Sequence, residues 1–523
     1  MARQSNEDSA LPQGDRKAVP TRSVEPHGGG KGIPVNQQAK QLALFFVTAD
    51  DSVARAPEAV AGAGPHRSGP ATSAVPKTGT KDESATSATM EEVASHLREA
   101  FQKVASNRGA PGPDGKSIEE VRKHLEELLP ELTTRLVEGT YQPGAIRRVW
   151  IPKSSGGHRG LGIPDVIDRM VQEAARMVLE PLYEPTFHPS SHGFRPGRSC
   201  HTAIAEACSH VDEGYEWVVD LDLRSFFDRV CHQRLLARLA QRVGDKRLHV
   251  LIGRWLKAEV VMPEGVKVSR DEGVPQGGPL SPLLSNIVLD ELDRELAQRG
   301  HRFVRYADDC NVYVRSERAG QRAMTSLTAF IERRLRLEVN TDKSAVARTE
   351  ERHFVGFRLW REPMDGQVEV GLSKRSRERI NRRIVELTPR NWGGSLRACI
   401  SQLNEYLRGW FGFFKACTAE AEWTFETLDA HIRRRLRAIQ LKHWKRRQTI
   451  ARKLIQLGVS RKVAWRRVYE GRKSLWALSH DAAVDRGLRN AYFANRGLVS
   501  LAQRLHEHHE QLVAPAQLML ALG

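Results

Sequence analysis

His301-Arg302-Phe303-Val304-Arg305-Tyr306-Ala307-Asp308-Asp309-Cys310-Asn311-Val312-Tyr313-Val314-Arg315 reads as two short strands joined around Ala307-Asp308-Asp309. A hairpin tip with two adjacent carboxylates is electrostatically costly unless a cation sits there. Mg²⁺ is the economical candidate, with Mn²⁺ as a possible substitute. An Asp-Asp pair in a turn is also ordinary turn chemistry, so its weight depends on what accompanies it. Upstream, Glu216-Trp217-Val218-Val219-Asp220-Leu221-Asp222-Leu223 alternates with period two. Trp217, Val219, Leu221 and Leu223 fall on a buried face, and Val218, Asp220 and Asp222 on the other. Aspartates from neighbouring strands that hold two hard cations suit in-line phosphoryl transfer.

At 523 residues the chain has room for several domains and a sizeable core. Its formal net charge of +18 suggests a polyanionic partner, either nucleic acid or an acidic membrane surface. Between Leu372 and His480 there are 26 Lys/Arg and 8 Asp/Glu, a net of +18, so the rest of the chain sums to zero. Such a concentration points to a dedicated binding region. None of the six cysteines, Cys200, Cys208, Cys231, Cys310, Cys399 and Cys417, forms a C-x-x-C pair, which argues against a structural zinc site. Their scatter fits free thiols in a reducing compartment. No apolar run approaches the roughly 18 residues that span a bilayer, and the first residues lack the apolar core of a signal peptide. The expectation is a cytoplasmic protein with no membrane contact.

Residues 1–88 are rich in Gly, Ala, Pro, Ser and Thr and read as a disordered tail, with only Leu42 to Val47 able to order locally. Residues 89–371 mix helix and strand. Glu91 to Val104 is a candidate helix that runs into the Gly/Pro-rich loop Asn107 to Gly115. A second helix starts near Ser281-Pro282, with Ser281 as a plausible cap; Leu284, Ile287, Val288, Leu292 and Leu296 share a face, and Gly300 ends it. Residues 372–480 read as helices dense in Arg and hold six of the ten tryptophans. Residues 481–523 form a short C-terminal segment.

The boxes around the aspartates resemble those of reverse transcriptases. Tyr306-Ala307-Asp308-Asp309 resembles the catalytic box, Asp222-Leu223-Arg224-Ser225-Phe226-Phe227-Asp228 the first box, and Gly273-Val274-Pro275-Gln276-Gly277-Gly278-Pro279-Leu280-Ser281-Pro282 the one between, in the family's order. The resemblance implies an α+β right-hand polymerase, with fingers and an antiparallel palm sheet followed by a helical thumb. It makes Asp222, Asp308 and Asp309 the catalytic metal carboxylates for two Mg²⁺, with Asp220 and Asp228 structural. Phe227 would lie under the incoming sugar and exclude a 2′-hydroxyl. Gln276 would contact nucleotide and template, and Gly277 and Gly278 would let the backbone approach nucleic acid closely. Ile151-Pro152-Lys153-Ser154-Ser155-Gly156-Gly157-His158-Arg159 resembles the fingers hairpin, with Lys153 and Arg159 toward the triphosphate; a solvated basic hairpin is the plainer alternative, and Gly160 replaces a common proline. His192-Gly193-Phe194-Arg195-Pro196-Gly197-Arg198-Ser199 resembles the next box, where Arg195 and Arg198 would hold template phosphates. Lys343, in Asn340-Thr341-Asp342-Lys343-Ser344, would serve the pyrophosphate or be a salt-bridged surface lysine. Phe354-Val355-Gly356-Phe357 resembles the primer grip, although its aromatics could equally be core.

Two further features resemble group II intron proteins. One is Asn107 to Gly115. The other is Leu403-Asn404-Glu405-Tyr406-Leu407-Arg408-Gly409-Trp410 with Leu428 to Leu436 and Trp444-Lys445, which resembles the thumb/X maturase domain. Arg408, Arg433, Arg434, Arg435 and Lys445 are the expected contacts to intron RNA, since arginine forks pair with phosphates and aromatics stack on bases. Residues 481–523 then resemble a short DNA-binding-like tail with no endonuclease, and without paired cysteines near the end the chain resembles the endonuclease-lacking, bacterial class C-like lineage. The implied function is an RNA-directed DNA polymerase that binds a group II intron RNA, assists its splicing and copies it during retrohoming. The implied partners are that intron, an RNA template with DNA primer, a DNA target and dNTPs, in a nucleoid-associated ribonucleoprotein. The alternatives are a domesticated bacterial reverse transcriptase used in defence, and a non-catalytic splicing maturase.

Overall fold

The computed structural model describes residues 88–152, 157–418 and 421–521. The expected tail, with its Leu42 to Val47 segment, lies outside them apart from Ala88. Four helices, α1 (Met90–Ser95), α2 (Leu97–Ser106), α3 (Ile118–Lys123) and α4 (Leu125–Val137), precede strands β1 (Ile146–Pro152) and β2 (His158–Ile163). Helices α5 (Val166–Tyr183) and α6 (Cys200–Asp212) lead into β3 (Trp217–Leu221). Then come α7 (His232–Leu239), α8 (Lys246–Lys257), β4 (Val260–Val261), β5 (Lys267–Val268) and α9 (Ser281–Gln298). The hairpin β6 (Arg302–Tyr306) and β7 (Asp309–Val314) is followed by α10 (Glu317–Phe330), β8 (Ala345–Arg348), β9 (Phe357–Arg361) and β10 (Val368–Leu372). The rest is helical: α11 (Lys374–Leu387), α12 (Leu396–Phe414), α13 (Glu422–Trp444), α14 (Arg447–Gln456), α15 (Arg461–Tyr469), α16 (Leu475–Leu478), α17 (Ala482–Gly487), α18 (Asn490–Ala494) and α19 (Leu501–Ala521). None of the helices is long and apolar enough to cross a membrane, among the described residues.

The candidate helix over 91–104 is divided. Thr89 and Glu92 form a capping box that starts α1. At His96 the ring Nδ1 lies 2.8 Å from the Glu92 carbonyl oxygen and competes for an acceptor that helix backbone would use. Helix α9 begins where expected, but Ser281 is its first residue and not its cap; its hydroxyl donates to the Pro275 carbonyl.

The central sheet has the order β6-β7-β3-β8, all neighbours antiparallel. The period-two alternation of β3 is real, yet both faces are covered. Val219, Leu221, Phe303, Cys310 and Val312 face one core, shared with α5, α9 and α10. Val218, Val304 and Tyr313 face a second, shared with α6 and the helices beyond residue 372. Helix α6 therefore hides what a one-sided sheet would leave open. The fingers sheet has the order β2-β1-β4-β5.

No break in packing separates 372–480 from 481–523. Asn404 donates to the Gly497 carbonyl and accepts from the Val499 N–H. The Asp429 carboxylate accepts from Ser500 Oγ, Leu501 N–H and Ala502 N–H, capping α19 from outside the helix. Leu501 and Leu505 then enter the second core. None of the six cysteines, all of them among the described residues, is in a disulfide.

Candidate active site

Tyr306 and Asp309 are the last pair of the β6–β7 hairpin, and Ala307 between them has φ +57°. Leu221 of β3 pairs with Cys310 of β7, so one step further Asp222 comes alongside Asp309. The sheet thus brings Asp222, Asp308 and Asp309 together at one end. Asp309 reaches solvent and Asp308 partly so, but both sit in dense protein. Loss of hydration raises both carboxyls above their usual range, and neighbouring negative charge adds to it. Asp309 is pushed up to about 7, by desolvation first and then by Asp308, Asp220 and Asp222, against Lys343. Around Asp308, Arg159 and Arg305 work the other way.

This excess of negative charge is what a divalent cation relieves, so the residues fit one. Among the described residues no three or more His, Cys, Asp or Glu form a preassembled metal cage. Mg²⁺ does not require one, since it is held by one or two carboxylates and completes its shell with water and substrate phosphate.

Asp222 is held from the side by the Asn340–Ser344 box. Its Oδ2 accepts from Asn340 Nδ2 at 2.8 Å and lies 3.3 Å from Lys343 Nζ. Its N–H is bonded to Ser344 Oγ and its carbonyl accepts from the Asn340 N–H. Asp220 instead pairs with Arg352, whose Nη2 also donates to the Lys343 carbonyl. Asp228 lies 3.6 Å from Arg270. Asp220 and Asp228 are thus each paired with an arginine, and Asp222 with a lysine.

Arg159 donates through Nε to Gln276 Oε1 at 2.7 Å, which joins the fingers hairpin to the glycine-rich loop. Lys153 lies outside the described residues. Phe227 is buried edge-on against Phe226, and its carbonyl accepts from the Val274 N–H.

Several expected contacts with nucleic acid are corrected. The close approach at Gly277 and Gly278 is to protein: a Cβ on Gly277, at φ +131°, would overlap the Gly162 carbonyl oxygen of β2, and one on Gly278 the Gln172 side chain of α5. Arg195 is 6 % exposed; it pairs with Glu184 and donates to the His188 and Ser191 carbonyls, so no donor reaches a template phosphate. Arg198 is half-buried and donates to the Pro189 carbonyl. Phe354 is core, and Gly356 sits at φ +87° in a tight turn whose carbonyl accepts from Ser373 N–H and Ser376 Oγ at the start of α11.

In the helical region Arg408 and Lys445 are exposed, and Arg433 and Arg434 half-buried. Arg434 lies over the Trp476 ring, 4.2 Å from its centroid. Arg435 is a correction: it is 6 % exposed and donates to Thr388 Oγ1, the Thr388 carbonyl and the Val385 carbonyl, tying α13 to the end of α11.

Sequence reasoning missed Arg305, Asn286 and Asp293, which form a buried network behind the catalytic turn. A signal existed: Asn286, Asp290 and Asp293 recur at helical spacing on α9, a polar stripe beside its apolar face.

Residues 151–359 match the model of the reverse transcriptase (RNA-dependent DNA polymerase) family, and residues 377–455 match the group II intron maturase-specific domain. Protein YkfC of Escherichia coli (strain K12) is 35% identical over 348 residues, 58% of this chain and 88% of that protein. The group II intron-encoded protein LtrA of Lactococcus lactis subsp. cremoris is 39% identical over 208 residues, 39% of this chain and 34% of LtrA, so the match spans about a third of that relative. The solved partial Cas6-RT-Cas1--Cas2 complex aligns with TM-score 0.31 and 24% identity over 47% of this chain and 42% of that one. With an RNA-dependent DNA polymerase region followed by a maturase-specific region, the chain belongs to the group II intron reverse transcriptase and maturase family.

Proposed function

We propose that this chain copies RNA into DNA at the Asp222–Asp308–Asp309 cluster, and that its basic helical region binds a group II intron RNA, assists its splicing and presents it for copying during retrohoming. The observation that carries the reading is the convergence of three aspartates, Asp222 just past the end of β3, Asp308 in the β6–β7 turn and Asp309 at the start of β7, with Lys343 beside Asp222. Two Mg²⁺ ions, when bound, supply the Lewis acidity that activates a primer hydroxyl and stabilises the leaving pyrophosphate. Asp222, Asp308 and Asp309 are the residues that would hold them. Arg159 and Lys153 would orient the triphosphate, with Gln276 beside it and Phe227 beneath the sugar. Lys343, whose Nζ lies 3.3 Å from Asp222 Oδ2, would give a proton to the departing pyrophosphate. Splicing asks only for binding, because the RNA carries out its own transesterifications. Arg408, Arg433, Arg434 and Lys445 are the candidate contacts, with dNTPs, a primed RNA template and a target DNA as the other partners. Such a particle would work at the nucleoid.

With a primed RNA template, dNTPs and Mg²⁺, the purified protein is expected to make cDNA, and the Asp308→Ala/Asp309→Ala protein none. Continued synthesis by the double variant would sink the reading.

A further inference from the structure

The turn that carries Asp308 and Asp309 does not support itself. Ala307 takes a left-handed conformation that a non-glycine residue keeps only where its surroundings hold it there. What holds it lies behind the turn. Arg305 is fully buried, and all five of its N–H donors are used. Its Nη1 donates to the Ala307 carbonyl at 2.8 Å and to Asn286 Oδ1 at 3.0 Å. Its Nε and Nη2 donate to the two Asp293 oxygens at 2.7 and 2.6 Å, and Nη2 also donates to Ser191 Oγ at 2.6 Å. Asn286 passes the linkage on, donating from Nδ2 to the Gly193 carbonyl at 2.9 Å. Gly193 closes the circuit: a Cβ there would overlap the Ala307 nitrogen and press on Ala307 Cα and the Tyr306 carbonyl carbon. Backbone bonds from His192 N–H to the Arg305 carbonyl, and from Arg305 N–H to the Ser190 carbonyl, fasten the same two segments.

A buried ion pair is a poor way to gain stability, because removing two charges from water costs about what their attraction returns. A saturated polar network does fix one geometry. Here a single guanidinium bonds at once to the 190s segment, helix α9 and the carbonyl of the turn itself. We propose that Arg305 and Gly193 are positioning residues for the Asp308–Asp309 pair. Arg305 fixes the turn from behind, Gly193 gives it clearance, and Asn286, Asp293 and Ser191 hold Arg305 in place. The His192-Gly193-Phe194-Arg195 box then serves the carboxylates and not the template backbone. The proposal rests on the reading of Asp308 and Asp309 as the metal-holding pair.

The test uses Gly193→Ala, Arg305→Lys and Ser191→Ala in the full chain, with Mn²⁺ alone as the metal probe. Mn²⁺ binding to the protein–primer–template complex is read by electron paramagnetic resonance, beside kcat, dNTP KM, primer–template Kd and the thermal midpoint. For Gly193→Ala, kcat is expected to fall about 100-fold and Mn²⁺ affinity at least about tenfold. Primer–template Kd and dNTP KM should stay within about twofold. Arg305→Lys should follow, since lysine keeps the charge but cannot span the same partners. Ser191→Ala removes one bond of five and should shift both quantities in the same direction by less. A merely structural role would lower the thermal midpoint, restore kcat on cooling, and leave Mn²⁺ affinity unchanged in the folded fraction; that result overturns the proposal. If Gly193→Ala and Arg305→Lys do not fold, Ser191→Ala decides on the same readouts. Wild-type behaviour of these variants beside an inactive Asp308→Ala/Asp309→Ala protein removes this inference alone; an active double variant removes the reading beneath it.

Discussion

Arg195 gives its donors to Glu184, His188 and Ser191, with its side chain almost wholly out of water. Removing one partner of such a pair leaves the other charge uncompensated. Arg195→Ala is therefore expected to lower stability by about 3 kcal/mol, read by chemical denaturation. Below its unfolding transition, primer–template affinity and its salt dependence should match wild type. A flatter salt dependence in the folded variant would return Arg195 to the template. Arg195 and Arg435 share one reason for being misread. Arginine is exposed by default, and the acceptors that bury these two, Glu184 and the Thr388 carbonyl, are recognisable only once the chain is folded. Asp222, Asp308 and Asp309 were legible because their boxes are contiguous in sequence. The network behind them was not, since Ser191, Asn286, Asp293 and Arg305 come from three separate segments.

Two element junctions depend on single residues. Strand β2 meets the glycine-rich loop through a bond from the Gly162 N–H to the Gln276 carbonyl, and a Cβ on Gly277 would overlap the Gly162 carbonyl oxygen. A side chain at residue 277 would face both a forbidden φ and a backbone atom. Gly277→Ala is expected to cost about 2 kcal/mol or more and to raise dNTP KM in steady-state kinetics, because Arg159 and Gln276 move with that junction. An unchanged KM in a folded variant would show that the hairpin docks independently. At the other junction, Asp429 receives three bonds from residues 500–502 at the start of α19. Asp429→Ala should cost about 1–2 kcal/mol and speed amide exchange in α19 before the rest of the molecule. Equal exchange in both proteins would count against the cap. The hairpin and β3 were legible from alternation. The glycines were read as clearance for a ligand because composition shows that something comes close, not what it is. The interruption at His96 was hidden because the ring that competes for the Glu92 carbonyl belongs to a residue without turn character.

Across the whole molecule, a net charge of +18 lies between Leu372 and His480, but not every arginine there faces outward. Replacing Arg433 and Arg434 with Ala should weaken intron-RNA binding and reduce the slope of log K against log salt by about one for each phosphate that these side chains neutralise. Arg435→Ala should instead lower the unfolding midpoint, with the salt slope kept. If the first pair leaves binding unchanged, this face is not part of the RNA footprint. The second core runs without a break from Ala203 and Val218 beneath the central sheet to Leu505 in α19. The layer of α6, β9 and β10 under the central sheet is thus also the back wall of the helices beyond residue 372. Severed after Leu372, the polymerase half would bare the Phe357 ring, which packs on Phe413 and Phe414 of α12, as part of an adhesive surface. A descendant of this protein that had no further use for those helices would still have to carry them, as cover for the apolar side of its polymerase half.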